Sequence, residues 1–194
     1  MWFVRAVNLE PRPEGHVTGT SFCAHRDEIE AVYGKDVLQR AVGHLEHAQR
    51  HHVMDALPVS LVPISTQQAL YEALAAETGA RAEQLHVEIV RRSTERVVRT
   101  IWRVLLRFTS DEALVSRAPI LFRKSFCQGK LVAEKIAPGR ARLRVSEWPG
   151  MPAFSLRGLR VGIETILTLA GRQDARVRCE ATADGATLEA NWNP

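Results

Sequence analysis

Three scarcities in this 194-residue sequence narrow the classes of protein to which it can belong. It has three cysteines, Cys23, Cys127 and Cys179, whose odd number and wide spacing exclude a disulfide framework and a cysteine-based zinc site. No apolar run approaches the ~20 residues of a membrane-spanning helix, and the opening residues lack the length and cationic lead-in of a signal peptide. We therefore expect a cytoplasmic protein without a membrane segment.

Lysine is also scarce, with only four residues, so the net charge of +4 comes almost entirely from arginine. An excess of this size permits an anionic partner but does not require one. Hydrophobic residues make up 45% of the chain and charged residues 25%, which is typical of a folded globular domain. We predict an irregular lead-in over residues 1–20 and a single domain over residues 21–194.

The first two-thirds of the sequence has the periodicity of helices. The spacing of apolar residues predicts a helix over residues 36–52 and another over residues 65–76, which Gly79 closes. A shorter helix is expected to begin at Asp111 as its N-cap, and Pro119 is expected to interrupt it.

The strongest pattern lies in residues 81–108, where apolar side chains recur on one face over about seven turns. These side chains are Val87, Val90, Val97, Val98, Ile101, Val104, Leu105 and Phe108. The pattern predicts one long central helix. Trp102 and Leu106 lie off this core face, beside the arginines of the same helix, and either the domain itself or a second copy in a homodimer would cover them.

After Gly129 the pattern changes to the alternation of half-buried strands. We predict strands at residues 140–146, 176–182 and 187–192. Asp184 and Gly185 form a tight-hairpin signal between the last two strands, and a mostly apolar helix over residues 159–170 precedes them. The fold class is therefore α+β, with a helical N-terminal two-thirds and a long central helix packed on a C-terminal antiparallel sheet of three or four strands.

Two sets of polar residues lie on predicted helix faces. The first is a histidine stripe at His44, His47 and His51, a spacing that metal ligands on a helix share. Because the stripe lies on the polar face, we interpret it as solvated and predict no metal, although an adventitious or functional metal site remains an alternative.

The second set is an arginine ridge opposite the apolar stripe of the long helix. Its members are Arg92, Arg96, Arg99, Arg103 and Arg107. Such a ridge could bind phosphates or an acidic protein, but Glu88 and Glu95 stand where they would pair within the helix. No aromatic residues are interleaved for base stacking, which disfavours nucleic acid. A solvated face, an acidic partner and a nucleic acid stay open as alternatives.

No arrangement in the sequence is typical of a catalytic site. No serine has the context of a nucleophile elbow, and no glycine-rich phosphate loop occurs. Cys127 and His86 could form a nucleophilic pair, but nothing in the sequence brings them together. We therefore predict that the protein is not an enzyme.

Short motifs spread over residues 17–192 resemble those of a known family. They are Gly19-Thr-Ser-Phe22, Val62-Pro-Ile64, Arg117-Ala-Pro-Ile-Leu-Phe-Arg123, Gly129, Pro138-Gly-Arg-Ala-Arg-Leu143, Pro152-Ala-Phe-Ser-Leu-Arg-Gly158 and the final hairpin. The chain resembles an uncharacterised paralogous family typical of myxobacteria. That family is in turn similar to heme-nitric-oxide-binding and 4-vinyl-reductase-type sensor domains.

The resemblance implies helices packed on an antiparallel sheet with an apolar pocket between them. It implies a non-catalytic sensor or adaptor domain in signalling or regulation, which binds a small apolar ligand or a protein partner. The alternative is an anionic partner or nucleic acid held by the arginine ridge. The residues expected to line the pocket are His86, Val90, Val97, Ile101 and Leu105.

Heme-binding members of the sensor family use a helix histidine and a Tyr-x-Ser-x-Arg motif that holds the heme propionates. Here neither Tyr33 nor Tyr71 begins such a motif. His86 is the one histidine on an expected pocket helix, and we interpret it as a core-edge histidine with satisfied hydrogen bonds. The sequence therefore predicts no cofactor, because the missing motif disfavours heme.

Overall fold

The structure is a computed structural model that describes residues 15–99 and 109–193. Within these ranges the elements, in chain order, are β1 (His16–Thr18), α1 (Gly19–Tyr33), α2 (Lys35–Gly43), α3 (His47–Met54), β2 (Leu61–Pro63), α4 (Ile64–Thr78), α5 (Ala82–Arg99), α6 (Asp111–Ser125), β3 (Lys130–Ala137), β4 (Arg140–Ser146), α7 (Ala153–Leu169), β5 (Gln173–Thr182) and β6 (Gly185–Asn193). The predicted α+β class is confirmed. In the part of the chain that the structure describes, no helix is long and apolar enough to cross a membrane.

The C-terminal sheet has four antiparallel strands in the order β3-β4-β6-β5. Leu143 of β4 stands between Ala133 of β3 and Leu188 of β6. Its neighbours Arg142 and Arg144 are exposed, so one face of the sheet is buried and the other is solvated. Each predicted strand is present, and β3 supplies the fourth.

The predicted helix over residues 36–52 is two helices, and that prediction is wrong. Helix α2 ends at Gly43, and α3 begins after Glu46, which forms a reciprocal capping box with Gln49. Glycine weakens the helix interior and the capping box starts a new helix, so local chemistry prevails over the apolar periodicity. The predicted glycine cap at Gly79 is confirmed, since this residue has a φ of 71° in the left-handed region.

The prediction at Pro119 is also wrong, because α6 runs unbroken through this residue. The N-cap of α6 is Ser110, whose hydroxyl accepts a hydrogen bond from the backbone N–H of Ala113. The side chain of Asp111 is therefore free for a tertiary contact. Of the predicted long helix, α5 covers residues 82–99, and residues 100–108 lie outside the described ranges.

Regular structure begins earlier than the sequence predicts. β1 pairs antiparallel with β2 through Val17 and Val62, both of which are buried. Gly19 follows at the start of α1, where an added Cβ would lie 1.9 Å from the carbonyl oxygen of Leu57. Only glycine fits this crossing of two backbones, so residues 16–20 belong to the fold rather than to a lead-in.

The helices pack on the buried face of the sheet. α7 packs against β5 and β6 and also against α5, while α6 packs against β3. α1 packs against α5, and α4 packs against α2 and α5. One apolar core includes residues of both the helical N-terminal part and the sheet.

Asp111 ties the start of α6 to the C-terminal strands. One carboxylate oxygen accepts hydrogen bonds from Nε and Nη2 of Arg172 at 3.0 and 2.8 Å, and the other accepts one from Nε1 of Trp192 at 3.2 Å. The Arg172 and Asp111 side chains are only 11% and 13% exposed, so water screens this ion pair weakly.

We predict that Asp111→Ala lowers the free energy of unfolding by about 3 kcal/mol, because it leaves the Arg172 guanidinium buried without its counter-charge. Chemical denaturation measures this loss. As a matched control, Glu189→Ala removes a more exposed carboxylate, paired with Arg140 and Arg142, and is expected to cost much less, because water screens exposed ion pairs. Equal losses of unfolding free energy in the two variants would contradict the role of Asp111 as the buried counter-charge of Arg172.

Candidate functional site

A largely apolar pocket of about 290 Å³ lies between α1, α5, α6, α7 and the buried face of the sheet. A volume of this order is at the lower end of the range for small-molecule sites. Its walls include Leu114 and Phe122 of α6, Leu143 of β4, and Ile163 and Ile166 of α7. The pocket thus joins elements from both ends of the chain.

Small residues keep the pocket open where the sheet and helices would otherwise meet. Ala141 and Ala190 pair across β4 and β6, and both line the pocket. Ala118 lines it from α6, and Gly158 and Gly162 line it from α7. A Cβ added at Gly162 would meet no atom within 4 Å. A larger side chain there could therefore enter the pocket without displacing its walls.

His86 of α5 lies in the lining of the pocket and is only 2% exposed. Its ring stacks on Phe154 of α7 at 3.7 Å between ring centres. Gly158 allows this approach, since a Cβ there would lie 3.1 Å from Cε1 of His86. Burial is the main cause that lowers the pKa of His86 to about 2, and repulsion from the Arg157 guanidinium and from His25, in its protonated form, lowers it further. The ring is thus a neutral imidazole.

The interpretation of His86 as a satisfied core histidine is wrong. Its Nδ1 is enclosed and has no hydrogen-bond partner within the described ranges. The hydroxyl of Ser155, also in the pocket lining, is in the same state. Unpaired buried polar atoms are rare in native proteins. Two of them beside one pocket indicate that the pocket accommodates a further group that can bond with them.

His25 of α1 lines the same pocket, with its ring centre 6.2 Å from that of His86. Its Nδ1 lies 3.0 Å from Nε2 of Gln67 and 3.0 Å from the hydroxyl of Tyr71. Burial lowers the pKa of His25 to about 4, so this imidazole is also neutral. No sequence pattern selects His25, because only the packing of α1 on α5 brings it to the pocket.

The other predicted pocket residues are distributed as follows. Val90 is buried and lines the pocket, and Val97 lines it while remaining 61% exposed. Ile101 and Leu105 lie outside the described residues. The buried arc of α5 is centred on Ile89 rather than on the valine stripe. The predicted role of these residues in ligand binding stays a prediction.

The arginine ridge is partly occupied by contacts within the fold. Arg92 pairs with Glu88 at 3.0 Å, and Arg96 pairs with Glu28 of α1 at 2.8 Å. The carboxylate of Glu28 is only 8% exposed, and the contact is a close ion pair without hydrogen-bond geometry. The side chain of Arg99 and residues 103 and 107 lie outside the described part of the chain, as do residues 102 and 106.

The histidine stripe does not form. His44 caps the end of α2 and lies 2.7 Å from Glu77, whereas His51 of α3 lies 3.2 Å from Asp55. The helix break separates His44 from His47, and no group of three potential metal ligands occurs within the described ranges.

Burial raises the pKa of the thiols of Cys23, Cys127 and Cys179, which disfavours the reactive thiolate.

Comparison with known proteins identifies the fold. No protein-family model matches this chain, and no curated protein matches it. The Fe(II) unliganded H-NOX protein from K. algicida matches with a TM-score of 0.66 at 13% identity, over 91% of this chain and 97% of that one. A solved structure whose description concerns heme redox potential and porphyrin distortion matches with a TM-score of 0.63 at 11% identity, over 91% of this chain and 99% of that one. A mutant of the T. Tengcongensis H-NOX gives 0.59 at 11% identity, over 91% and 98%. The chain therefore has an H-NOX-like fold, as the resemblance implied.

These comparisons overturn the prediction that no cofactor is involved. The descriptions of structures that share the fold name heme or an Fe(II) state. The argument from sequence had rejected heme because Tyr-x-Ser-x-Arg is absent. The absence of one short motif does not outweigh a fold match that extends over nine-tenths of the chain, so heme cannot be set aside on that ground.

We predict that stability falls as the pH is lowered from 6.5 to 5. His25 and His86 stay neutral in the folded chain, while each binds a proton in the unfolded chain below about pH 6.5. The unfolded state therefore binds more protons, and the free energy of unfolding decreases by up to about 1.4 kcal/mol per pH unit for each histidine.

Urea denaturation at several pH values measures this slope. His86→Phe keeps an aromatic ring against Phe154 and is expected to remove about half of the slope. His47→Phe, at an exposed position on α3, serves as the control and is expected to preserve it. An unchanged slope in His86→Phe would show that the imidazole is not the titrating group.

We predict that Arg96→Ala lowers the free energy of unfolding by about 1–3 kcal/mol, because it leaves the Glu28 carboxylate buried without a counter-charge. Arg91→Ala, five residues earlier at an exposed position of α5, is expected to change it by less than ~0.5 kcal/mol. Thermal denaturation of both variants compares them. Equal changes in the free energy of unfolding would instead support the interpretation of the arginine ridge as a solvated face.

Proposed function

We propose that this chain is a small-ligand sensor domain, and that its ligand occupies the apolar pocket between the helices and the sheet. The observation that carries this proposal is the pocket itself, with neutral His25 and His86 in its lining. Apolar walls with a few convergent polar groups are the usual composition of small-molecule sites. The H-NOX-like fold supports the same assignment.

Heme is the ligand that the fold relatives suggest, and the lining offers what would hold it. The neutral imidazole of His86 is of the type that binds iron. A flat macrocycle is larger than the pocket of about 290 Å³, so the apolar side chains of α6 and α7 would have to move apart to cover it. Lys124, exposed at the end of α6 and in the lining, is a cation for carboxylate groups. When bound, heme would supply an iron that takes up small gaseous ligands.

The position of the pocket fits a sensor rather than a catalyst. α1 and α5 wall it from one side, and the sheet walls it from the other. A ligand that fills it contacts both parts, so occupancy is coupled to the packing between them. No observation favours a polyanion at the arginine ridge to a similar degree, because Arg92 and Arg96 already have acidic partners.

Titration of the purified protein with hemin tests this proposal. We expect saturable one-to-one binding with a shifted Soret band. At a hundredfold excess over Kd, the ligand contributes about 2.7 kcal/mol and raises the Tm by about 5–10 °C. His86→Ala is expected to alter the Soret band and weaken binding, whereas His47→Ala is expected to leave both unchanged.

A pair of glycine variants locates the site. Gly162→Leu places a side chain in the pocket and is expected to abolish binding. Gly43→Leu, at a helical position outside the pocket where a Cβ also meets no atom, is expected to bind as the wild type does. Equal hemin binding in the two variants would place the ligand elsewhere, and the absence of saturable binding to the wild type would contradict heme as the ligand.

A further inference from the structure

A cluster of three polar side chains lies beside the pocket, and its contacts bear on the protonation of one ring. His25, Gln67 and Tyr71 belong to it, and Tyr71 and Gln67 are 0% and 4% exposed. The amide nitrogen of Gln67 can only donate a hydrogen bond, and it lies against Nδ1 of His25. With the amide in this orientation, Nδ1 accepts the hydrogen bond, and the hydroxyl of Tyr71 lies at the same distance from it.

This arrangement determines which nitrogen of His25 carries the proton. A neutral imidazole has one N–H and one acceptor nitrogen. Because Nδ1 accepts, the proton is on Nε2. Within the described ranges, the hydrogen bonds of this ring involve Nδ1, and the ring itself lines the pocket. Nε2–H is thus the hydrogen-bond donor that the ring of His25 has left to offer a ligand there.

We propose that the pocket selects ligands that carry a hydrogen-bond acceptor, such as a carbonyl oxygen. This acceptor binds Nε2–H of His25, while Gln67 and Tyr71 contact Nδ1 of the same ring. The inference rests on the proposed function in that it takes the pocket as the ligand site. It adds the chemical class of the ligand, an apolar body with an acceptor atom at one end. An unpaired donor in a buried site penalises a ligand without that atom.

Two probes of the same shape test this selectivity. Acetophenone and α-methylstyrene differ in that a carbonyl oxygen replaces a methylene group, and both are small enough for a pocket of about 290 Å³. Their dissociation constants are measured by NMR titration of the wild type and of His25→Phe. The ratio of the two constants is compared between the proteins, so that the different hydration of the probes cancels.

We expect the ratio in the wild type to favour acetophenone by about three- to tenfold relative to His25→Phe, the magnitude of one net hydrogen bond. His25→Phe alone leaves the polar groups of Gln67 and Tyr71 unpaired and could fail to fold. The triple variant His25→Phe, Gln67→Met, Tyr71→Phe removes all three polar groups together and serves in its place. Gly162→Leu is expected to bind neither probe.

A measurement on the wild type is independent of any variant. The nitrogen chemical shifts of His25 report its tautomer, and we expect the Nε2–H form. The Nδ1–H form, or an equal ratio of constants with and without His25, would overturn this inference while leaving the pocket as a binding site. Binding of neither probe would overturn the inference and the pocket assignment together. Failure of hemin alone, with the ratio shifted, would contradict heme and support this inference.

Discussion

The structure depends on keeping a space open between the helices and the sheet. Burial of apolar surface drives these layers together, and interiors normally pack without voids. The space persists because small residues face each other across it, among them Ala141 and Ala190 on the sheet and Gly162 on α7. Polar contacts also join these elements, since Asp111 links α6 to the last strand through Trp192 and Arg96 links α5 to α1.

The two histidines follow from the same constraint. An apolar pocket makes a charged imidazole costly, and burial accordingly lowers the pKa of both rings. A neutral imidazole has one acceptor nitrogen, which is what a metal or a donor group needs, and one N–H, which an acceptor needs. For His25, the contacts of Nδ1 with Gln67 and Tyr71 decide which of these functions the ring presents to the pocket.

Much of the fold could be predicted because its signals are local. The alternation of strands β4 and β6, the turn at Asp184 and Gly185, and the glycine cap at Gly79 depend on neighbours in sequence. The predictions failed where two local signals competed. The capping box at Glu46 split one expected helix, and Pro119 is tolerated within α6. The site was only partly foreseen, since the helical periodicity put His86 at the edge of the core and gave no sign of His25.

The sequence by itself determined the α+β class, the sheet face and the positions of most helices, because periodicity and capping operate over a few residues. The tertiary structure alone decided which side chains share the pocket. His25 and His86 are 61 positions apart and meet because α1 crosses α5. It also decided that Arg96 forms an ion pair with Glu28 of α1 and is not part of an unpaired arginine ridge. Contacts between distant segments depend on how whole elements pack, and no short motif records them.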